Sequence, residues 1–424
     1  MVGDVVRCRI ESLAYGAAGV ARTDAGVVLV PGVAPGDEIE ARIVAEHPRW
    51  RDAEVVRLIV PGAARREPPC PHARECGGCT WQQVDYTTQL AAKERALRDQ
   101  LARLGGFDVA SLDVRPILAS EEWAYRHRVT LRVAGENKLG FYRHRSHRLV
   151  EIDRCLIADE TVNEHLATAR AWLRGVSTTV RRLEIASAAP AEVIFVANAE
   201  GRFRNDDEYH ERFLRETPAV RGIVMFGKGW RRTFGAPRVE LDLGGGTSIE
   251  SEGGFTQVNP AGNRKLVEMV LALAEPRADD RVLDLFCGAG NLTVPLARRV
   301  GGTVGVDVAG TSIQAARRNV DALGLSGCRF HQQAAAQAAK SLAAEGERFS
   351  LVVLDPPREG ATAVLEHLPA LASDRLVYVS CNPATLARDL ARLVALGFRL
   401  GPIQPIDLFP QTHHLETVVR LERR

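Results

Sequence analysis

A cysteine ends one of the apolar segments of this chain, in the stretch Tyr378-Val379-Ser380-Cys381-Asn382-Pro383. Pro383 favours the first position of a helix, so the stretch predicts a strand that stops at the thiol and a helix that starts just after it. The positive end of the helix dipole is expected to lower the pKa of Cys381 and to raise its thiolate fraction. Cys381 is therefore our candidate nucleophile.

Carboxylates stand at the ends of two further apolar segments. Asp355 closes the run 351–354 and is followed by Pro356-Pro357-Arg358, whereas Glu416 stands at the start of the last apolar run. A carboxylate close to a nucleophile can accept or donate a proton during a reaction. Asp355 and Glu416 are therefore candidate site residues.

Residues 282–291 have the pattern of a strand, a glycine turn and the start of a helix, which predicts a cofactor site. Gly288 and Gly290 lack a Cβ atom, so a ligand can approach the backbone there. Asp307 ends the next strand, where its carboxylate can accept both hydroxyls of a ribose. Asp284 adds a second negative charge, which suits a ligand with a positive centre better than a pyrophosphate. S-adenosylmethionine has this character; an NAD-type unit or a structural turn is the alternative.

A second group of cysteines is spaced like a set of metal ligands. Cys70, Cys76 and Cys79 lie within ten residues, and Cys155 is available as a fourth thiolate. An iron-sulfur cluster or a zinc ion would satisfy four thiolates equally well. Buried thiols without a metal are the alternative.

The elements that must position these residues change character along the chain. From about residue 255, short apolar strands alternate with Ala- and Arg-rich helices, which predicts an open, mostly parallel α/β sheet with helices on both faces. The predicted strands are 282–286, 303–306, 351–354, 376–380, 403–408 and 417–421.

The chain before this region contains two other patterns. Residues 2–60 alternate apolar and polar positions between turn residues, which predicts a small closed barrel of four or five strands. Residues 61–250 begin with a linker rich in Pro and Arg and contain a helix near 87–104, followed by alternating segments typical of antiparallel strands. We therefore predict three domains, covering residues 1–60, 61–250 and 251–424.

Arginines interleaved with aromatic residues predict an RNA-binding surface in the central domain, because they combine charge neutralisation with base stacking. The candidate RNA contacts are Arg126, Arg128, Arg132, Arg143, Arg145, Arg231 and Arg232. A solvated strand face is the alternative. Residues 1–60 carry more acidic than basic side chains, which argues against strong RNA binding there.

Composition limits the remaining possibilities. The chain has 424 residues and a formal net charge of +2, so a nucleic-acid contact must come from local patches. No apolar run approaches the ~18 residues that a membrane span needs. The polar start lacks the apolar stretch of a signal peptide, so we expect a cytoplasmic protein without a membrane partner. We also expect the protein to be a monomer.

In order along the chain, these motifs resemble those of the RNA uracil-5-methyltransferase family. The motifs are Phe-Thr-Gln-Val-Asn at 255–259, Asp-Leu-Phe-Cys-Gly-Ala-Gly-Asn at 284–291, Asp-Pro-Pro-Arg at 355–358, Ser-Cys-Asn-Pro at 380–383 and Gln-Thr-His-His-Leu-Glu at 411–416. The resemblance implies a class I (Rossmann-like) methyltransferase domain that uses S-adenosylmethionine. Residues 1–60 resemble the TRAM domain, an oligonucleotide-binding (OB) type barrel, and the central, mainly β domain resembles the part of the family that carries an iron-sulfur cluster.

The resemblance also implies roles for single residues. Cys381 would add to C6 of a uracil base, and Glu416 would remove the proton from C5 after methyl transfer. Phe255 would offer a platform for the flipped uridine. The Cys-Gly-Gly-Cys sequence implies a [4Fe-4S] cluster on Cys70, Cys76, Cys79 and Cys155. The residues implied to contact the methyl donor are Gln257, Phe286, Asn291, Asp307 and Asp355.

The implied partner is structured RNA. The combination of barrel, cluster and catalytic domain resembles the bacterial enzyme that forms 5-methyluridine in 23S ribosomal RNA. Transfer RNA is the alternative substrate. An amino-methyltransferase that acts on RNA bases and a non-catalytic RNA-binding assembly factor are alternatives of other classes.

Overall fold

The computed structural model describes residues 1–144 and 146–423. The contacts divide the chain into two units. The first unit comprises Met1–Asp99, Phe141–Ile152 and Phe409–Leu415, and the second comprises Gln100–Gly140, Asp153–Leu408 and Glu416–Arg424. This division does not test the predicted domain boundaries near residues 60 and 250, which stay predictions.

The amino-terminal strands form the sheet that the alternating pattern predicts. They are β1 Val5–Arg9, β2 Ser12–Leu13, β3 Gly19–Thr23, β4 Gly26–Val30, β5 Glu38–Glu46 and β6 Trp50–Val60. Their order is β1-β5-β6-β4-β3-β2, and the apolar side chains of alternate positions, such as Val28, Ile39 and Ile43, pack into one core. Within the described residues no strand pairing joins β1 to β2, so closure into a barrel stays a prediction.

The middle of the chain contains one long helix, a mostly antiparallel sheet and a hairpin. The elements are α1 Tyr86–Arg103, β7 Arg128–Ala134, β8 Lys138–Tyr142, β9 Leu149–Glu151, α2 Glu160–Glu164, α3 Leu166–Gly175, β10 Val180–Ala189, β11 Glu192–Ala199, α4 Asp207–Glu216, β12 Val220–Gly227, β13 Trp230–Gly235, β14 Val239–Gly244 and β15 Thr247–Ser251. The sheet order is β13-β12-β11-β10-β7-β8-β9, and β11 and β12 are parallel. The predicted helix near 87–104 is confirmed within one residue at each end, and most strand pairs of this region are antiparallel, as predicted.

The carboxy-terminal part of the second unit is the predicted α/β sheet, with one further strand, Cys328–Gln332, that the sequence did not predict. Its elements are α5 Pro260–Ala274, β16 Arg281–Leu285, α6 Thr293–Ala297, β17 Gly302–Asp307, α7 Gly310–Ala322, β18 Cys328–Gln332, α8 Ala335–Ala344, β19 Phe349–Leu354, α9 Thr362–Leu365, α10 Leu368–Leu371, β20 Ala372–Ser380, α11 Pro383–Ala395, β21 Phe398–Ile406 and β22 Glu416–Arg423. The sheet order is β18-β17-β16-β19-β20-β22-β21. Strands β18, β17, β16, β19 and β20 are parallel, whereas β22 runs antiparallel to both of its neighbours.

A buried ion pair supports this sheet at the end opposite to Cys381. The Arg375 side chain is 1% exposed and donates to both carboxylate oxygens of Asp280, at 2.6 and 2.7 Å. Its other terminal nitrogen donates to the carbonyl oxygens of Ala274 and Glu275 at the end of α5. Arg375 therefore joins β20, the start of β16 and a helix terminus whose carbonyl groups attract a cation.

No helix in residues 1–144 and 146–423 is long and apolar enough to cross a membrane.

Removal of the Arg375 guanidinium should destabilise the second unit. In R375M the Asp280 carboxylate remains buried without its cation, and we expect a loss of about 3–5 kcal/mol in the free energy of unfolding. Urea denaturation followed by circular dichroism measures this loss.

R277A is the matched control, because Arg277 pairs with Asp374 at the surface, 59% exposed. It should change the free energy of unfolding by less than about 1 kcal/mol. Equal losses in R375M and R277A would contradict a structural role for the buried pair.

Candidate active site

Predicted site residues from separate parts of the sequence meet at one edge of the α/β sheet. Asp284 lies in β16, Asp307 ends β17, Asp355 follows β19 and Cys381 follows β20. The parallel order β17-β16-β19-β20 brings these carboxyl ends together. In open α/β sheets this edge is where ligands bind.

Strand β22 adds Glu416 to the same edge by running in the opposite direction. Ser380 pairs with Thr417 in the antiparallel register between β20 and β22, so the residue after Ser380 stands opposite Glu416. Glu416 is 2% exposed, and Cys381 is partly buried. A thiol and a buried carboxylate are therefore neighbours, although 34 residues separate them in the sequence.

The helix after Cys381 forms as predicted. Helix α11 begins at Pro383, and the side chain of Asn382 caps it by accepting a hydrogen bond from the backbone N–H of Ala384 at 3.0 Å. The expected consequence for the thiol is wrong for the protein without ligands. Burial raises the pKa of Cys381 to about 12, the charges of Glu416 and Asp355 act in the same direction, and Arg358 opposes them. Desolvation and neighbouring anions outweigh the helix dipole.

The carboxylates of this edge resist ionisation. Burial raises the pKa of Asp284 to about 7, with further contributions from the charges of Asp355 and Asp307. Burial also raises the pKa of Asp355 to about 7. The pKa of Glu416 lies well above its usual value because the side chain is buried and faces Asp355. The site is therefore poor in compensating positive charge and favours a cationic ligand.

The glycine turn has the features of a cofactor cradle. The backbone N–H of Gly288 donates to Asp307 Oδ2 at 3.0 Å, and that of Ala309 donates to Asp307 Oδ1 at 2.8 Å. A Cβ atom on Gly288 would point into open space. A Cβ atom on Gly290 would instead lie 2.9 Å from Val294, so this glycine is needed for packing. The turn leaves room for a ligand at Gly288 and beside the Asp307 carboxylate.

One buried acceptor in this region has no hydrogen-bond partner among the described residues, Asp284 Oδ1. The other oxygen, Oδ2, accepts a hydrogen bond from the hydroxyl of Thr293 at 2.5 Å. An unpaired buried carboxylate oxygen costs free energy unless a ligand or water satisfies it. The carboxylate acceptors of this edge thus fit a ligand that carries ammonium, sulfonium and ribose hydroxyl groups.

The other residues implied to contact the methyl donor are fixed in different ways. The side-chain amides of Asn291 and Asn263 donate to each other at 2.8 and 3.0 Å. Phe286 has the left-handed φ of 71°, which is uncommon for a residue with a Cβ atom and is typical of functional turns. Gln257 is partly buried in the segment between β15 and α5.

The segment before α5 presents an exposed aromatic ring. Phe255 is 71% exposed, and the guanidinium of Arg128 lies 5.8 Å from the centre of its ring. The guanidinium of Arg128 also donates to the carbonyl oxygen of Gly254 and to the hydroxyl of Thr256, both at 2.9 Å, and pairs with Glu184. The Arg128 side chain is only 14% exposed, so its charge serves this segment and not an open cationic surface.

The remaining predicted RNA contacts differ in exposure. Arg143, Arg231 and Arg232 are exposed, whereas Arg126 and Arg132 are partly buried. The guanidinium of Arg232 lies 5.5 Å from the ring centre of Phe203, and that of Arg231 donates to the carbonyl oxygen of Glu252. Arg145 lies outside the described residues.

The predicted metal ligands are divided between the two units. Cys70, Cys76 and Cys79 belong to the first unit and Cys155 to the second. The backbone N–H of Gly78 donates to Cys76 Sγ at 3.4 Å, and the side chain of Asn163 bonds both the N–H and the carbonyl oxygen of Cys155. The described part of the chain contains no group of three or more His, Cys, Asp or Glu side chains arranged to hold a metal ion.

Sequence reasoning missed the part played by Arg358. Its positive charge lowers the pKa of both Cys381 and Glu416 and so opposes the effect of burial at the two residues. The signal was present, because Arg358 ends the Asp-Pro-Pro-Arg motif. The sequence did not reveal it because nothing in the motif indicates which carboxylates and thiols the cation faces.

Family models match two parts of the chain. The model described as tRNA (Uracil-5-)-methyltransferase matches residues 247–424, and the TRAM domain model matches residues 1–56.

Similar proteins extend over nearly the full length. The chain is 35% identical to an uncharacterized RNA methyltransferase of Gloeobacter violaceus, over 99% of this chain and 97% of that protein. It is 34% identical to the 23S rRNA (uracil(1939)-C(5))-methyltransferase RlmD of Aeromonas hydrophila, over 98% of this chain and 96% of that protein. Among solved structures, the Pyrococcus abyssi tRNA (uracil-54, C5)-methyltransferase in complex with S-adenosyl-L-homocysteine is similar, with a TM-score of 0.74 and 25% identity, over 98% of this chain and 100% of that chain.

The affinity for S-adenosylmethionine should rise with pH. Asp284 and Asp355 each have a pKa of about 7 without ligand, and a bound cation lowers it by favouring the ionised form. Binding therefore releases protons, and the affinity should increase by roughly tenfold between about pH 6 and about pH 8. Titration calorimetry over this pH range measures the dissociation constant and the protons released.

D284N is the matched variant, because it keeps the shape of the side chain and removes its charge. It should bind more weakly at the high end of the range and show a flatter pH profile. Adenosine, which has no positive charge, should bind the unaltered protein with little pH dependence. A wild-type affinity that falls as the pH rises would contradict the electrostatic argument.

Proposed function

The chain belongs to the RNA uracil-5-methyltransferase family and is an S-adenosylmethionine-dependent enzyme, and we propose that it methylates C5 of a uridine in 23S ribosomal RNA through a covalent adduct with Cys381. The observation that carries the proposal is the register of β20 and β22, which sets Cys381 opposite Glu416 at the carboxyl edge of the sheet. Arg358 and Asp355 act electrostatically on both side chains.

Cys381 adds through its sulfur to C6 of the target uracil. C5 of uracil is a weak nucleophile, and addition at C6 pushes electron density to C5 as an enolate. The thiol must first lose its proton to water, which is unfavourable at a pKa of about 12. Arg358 favours the thiolate, and the enolate oxygen of the bound base would be a second negative charge for this cation to stabilise.

Glu416 removes the proton from C5 after the methyl group has been transferred. The thiolate then leaves C6, and the aromatic ring is restored. A raised pKa makes the ionised Glu416 a stronger base than an exposed carboxylate, although a smaller fraction is ionised at neutral pH. Burial thus opposes the ionisation of Glu416 and makes the ionised carboxylate a stronger base for the C5 proton.

The methyl donor fits the edge formed by Asp284, Asp307 and the Gly288 turn. When bound, S-adenosylmethionine supplies an electrophilic methyl group. Asp307 is set to accept the ribose hydroxyls, because its two oxygens are oriented by the N–H groups of Gly288 and Ala309 and each has a further lone pair. Asp284 and Asp355 supply negative charge for the positive centre, and Gln257, Phe286 and Asn291 would line the same cleft.

The substrate proposal is a uridine of 23S ribosomal RNA. It is supported by the relatives named as 23S rRNA (uracil(1939)-C(5))-methyltransferase, which match 96% and 94% of their own length in Aeromonas hydrophila and Pseudomonas entomophila. Transfer RNA is the second candidate, favoured by the similarity to the Pyrococcus abyssi enzyme. Phe255 would stack on RNA bases, and Arg126, Arg132, Arg143, Arg231 and Arg232 would contact the phosphates. An RNA substrate of this kind would place the enzyme in the cytoplasm, where we expect it to act as a monomer.

We also propose that Cys70, Cys76, Cys79 and Cys155 bind a [4Fe-4S] cluster. The cysteine spacing supports this proposal. The hydrogen bond from the Gly78 N–H to Cys76 Sγ does so too, because such bonds are typical of iron-sulfur ligands. No step of the reaction depends on this cluster.

Changes at Cys381 and Glu416 should have opposite effects on a covalent intermediate. E416Q should accumulate an adduct with RNA and S-adenosylmethionine, because the C5 proton stays in place and the thiolate cannot leave. C381A should form no adduct and no 5-methyluridine. Denaturing electrophoresis of 23S rRNA and tRNA transcripts, with mass spectrometry of the linked peptide, measures both.

C328S is the matched control, since Cys328 is also partly exposed but lies in β18 at the other side of the sheet. It should keep full methylation. Turnover in C381A would select amino methylation, and absence of methylation in the unaltered protein on every RNA would select a non-catalytic binding role. Adducts on tRNA but not on 23S rRNA would show that transfer RNA is the substrate and would contradict the proposal of 23S ribosomal RNA.

Protein purified without oxygen should contain about four iron atoms and four sulfides per chain. C79S should lose most of this iron, because one of the proposed ligands is gone, whereas C328S should keep it. Metal analysis and visible absorption spectra measure the content. One zinc per chain in place of iron would contradict the cluster and support the zinc alternative.

A further inference from the structure

One face of α11 is directed at the loop that carries Arg358. Asn382, Thr385, Arg388 and Asp389 follow one another at intervals that place them along a single side of the helix. The loop comprises residues 355–361, between β19 and α9. The same helix begins at Pro383, two residues after Cys381, and its capping residue Asn382 contacts this loop.

The contacts of this face are made to the backbone of successive loop residues. The side chains of Asn382 and Thr385 both donate to the carbonyl oxygen of Arg358, at 3.1 Å. Arg388 donates to the carbonyl oxygen of Glu359 at 2.9 Å. The loop is therefore held at its main chain.

Asp389 is the buried anchor of this arrangement. Its exposure is 0%, and its Oδ2 accepts hydrogen bonds from the backbone N–H of Ala361 and from the hydroxyl of Tyr378, each at 2.7 Å. Its Oδ1 accepts hydrogen bonds from Arg388 at 2.9 Å and from the hydroxyl of Thr362 at 3.3 Å. A buried carboxylate is costly unless all of its acceptors are used, as they are here.

Gly360 fits closely under Asp389. Its φ is +82°, and a Cβ atom there would lie 2.5 Å from Asp389 Oδ2. The loop conformation and the position of the carboxylate therefore depend on each other. Nothing in the proposed chemistry uses Asp389, whose two carboxylate oxygens are occupied in this hydrogen-bond network.

We propose that Asp389 is a positioning residue that fixes the loop 355–361 on α11 and thereby keeps the Arg358 guanidinium beside Cys381 and Glu416. The charged groups that act on Cys381 are Glu416, Arg358 and Asp355. Of these, Arg358 lies in the part of the loop that α11 holds, whereas the backbone N–H of Asp355 donates to the carbonyl oxygen of Leu285 in β16 and holds this residue separately. If the loop loses its anchor, the thiol loses its cation while Glu416 stays on β22.

The proposal rests on the proposed function in one respect, the role of Cys381 as nucleophile. Its test uses the thiol itself, so the two can fail separately. The rate at which iodoacetamide alkylates Cys381 is proportional to the thiolate fraction at a pH well below the thiol pKa. Peptide mass spectrometry reads this rate for Cys381 alone, without RNA or turnover.

D389N should slow alkylation of Cys381 by about tenfold at fixed pH, because an Asn amide group cannot accept from all of these donors and Arg358 moves away. R358Q should slow it by a similar factor. The double variant D389N/R358Q should be no slower than R358Q, since Asp389 acts through Arg358. The affinity for S-adenosylmethionine, measured by calorimetry, should change by less than about threefold in D389N.

E366Q is the matched control, because Glu366 pairs with Arg392 of α11 at the surface and does not touch the loop. It should leave the alkylation rate and the methylation rate unchanged. T385V removes one of the two donors to the Arg358 carbonyl oxygen and should slow alkylation in the same direction by roughly twofold to threefold. T385V decides the matter if D389N does not fold.

Two results would overturn the proposal. Additive effects of D389N and R358Q would mean that Asp389 does not act through Arg358. Faster alkylation in D389N or T385V would mean that the loop only shields the thiol from solvent. Full methylation by C381S would refute the proposed function instead, and the alkylation rates would still report on the anchor.

Discussion

The site depends on one electrostatic constraint, the crowding of acidic groups where little water remains. Asp284, Asp355, Glu416 and the Cys381 thiol all have raised pKa values because burial and their mutual charges oppose ionisation. Like charges in a desolvated space cannot all be present at once. In the free protein, protonation of these groups reduces the repulsion between their charges. A cationic ligand reduces the same repulsion when it binds. A methyl donor with a sulfonium and an ammonium group is suited to such a site.

Strand β22 makes this crowding possible. A wholly parallel sheet would collect residues only from the ends of strands that run in the same direction. Because β22 lies antiparallel between β20 and β21, its first residue, Glu416, reaches the edge where β20 ends. The antiparallel strand thus supplies a carboxylate next to the thiol, and the charge of Asp355 raises the pKa of this carboxylate further. In the strand order, β20, which ends next to Cys381, lies between β22 with Glu416 and β19, which Asp355 follows.

Three arginines of the second unit are positioned by contacts within the fold. Arg358 is carried by a loop whose main chain is bonded to α11. Arg128 lies under the exposed ring of Phe255 and bonds the backbone that presents it. Arg375 forms an ion pair with Asp280 at the other end of the sheet. The guanidinium groups of Arg128 and Arg375 have fixed partners, so a count of arginines says little about the surface that RNA would meet.

The sequence by itself predicted most strands of the α/β sheet and the positions of Asp284, Asp307, Asp355, Cys381 and Glu416 in strands or at their ends, because hydrophobic period, turn residues and motif order are local properties of the chain. It also indicated the helix at Pro383, since a proline at the first helical position needs no long-range information. The sign of the Cys381 pKa shift was decided only by the tertiary structure. The helix dipole is a local effect that a sequence reveals, whereas desolvation and the charges of Glu416 and Asp355 depend on segments that folding brings together. The burial of Arg128 and the anchoring of Arg358 by Asp389 are of the same kind, because a side chain's partners across a fold are set by packing and not by its neighbours in the sequence.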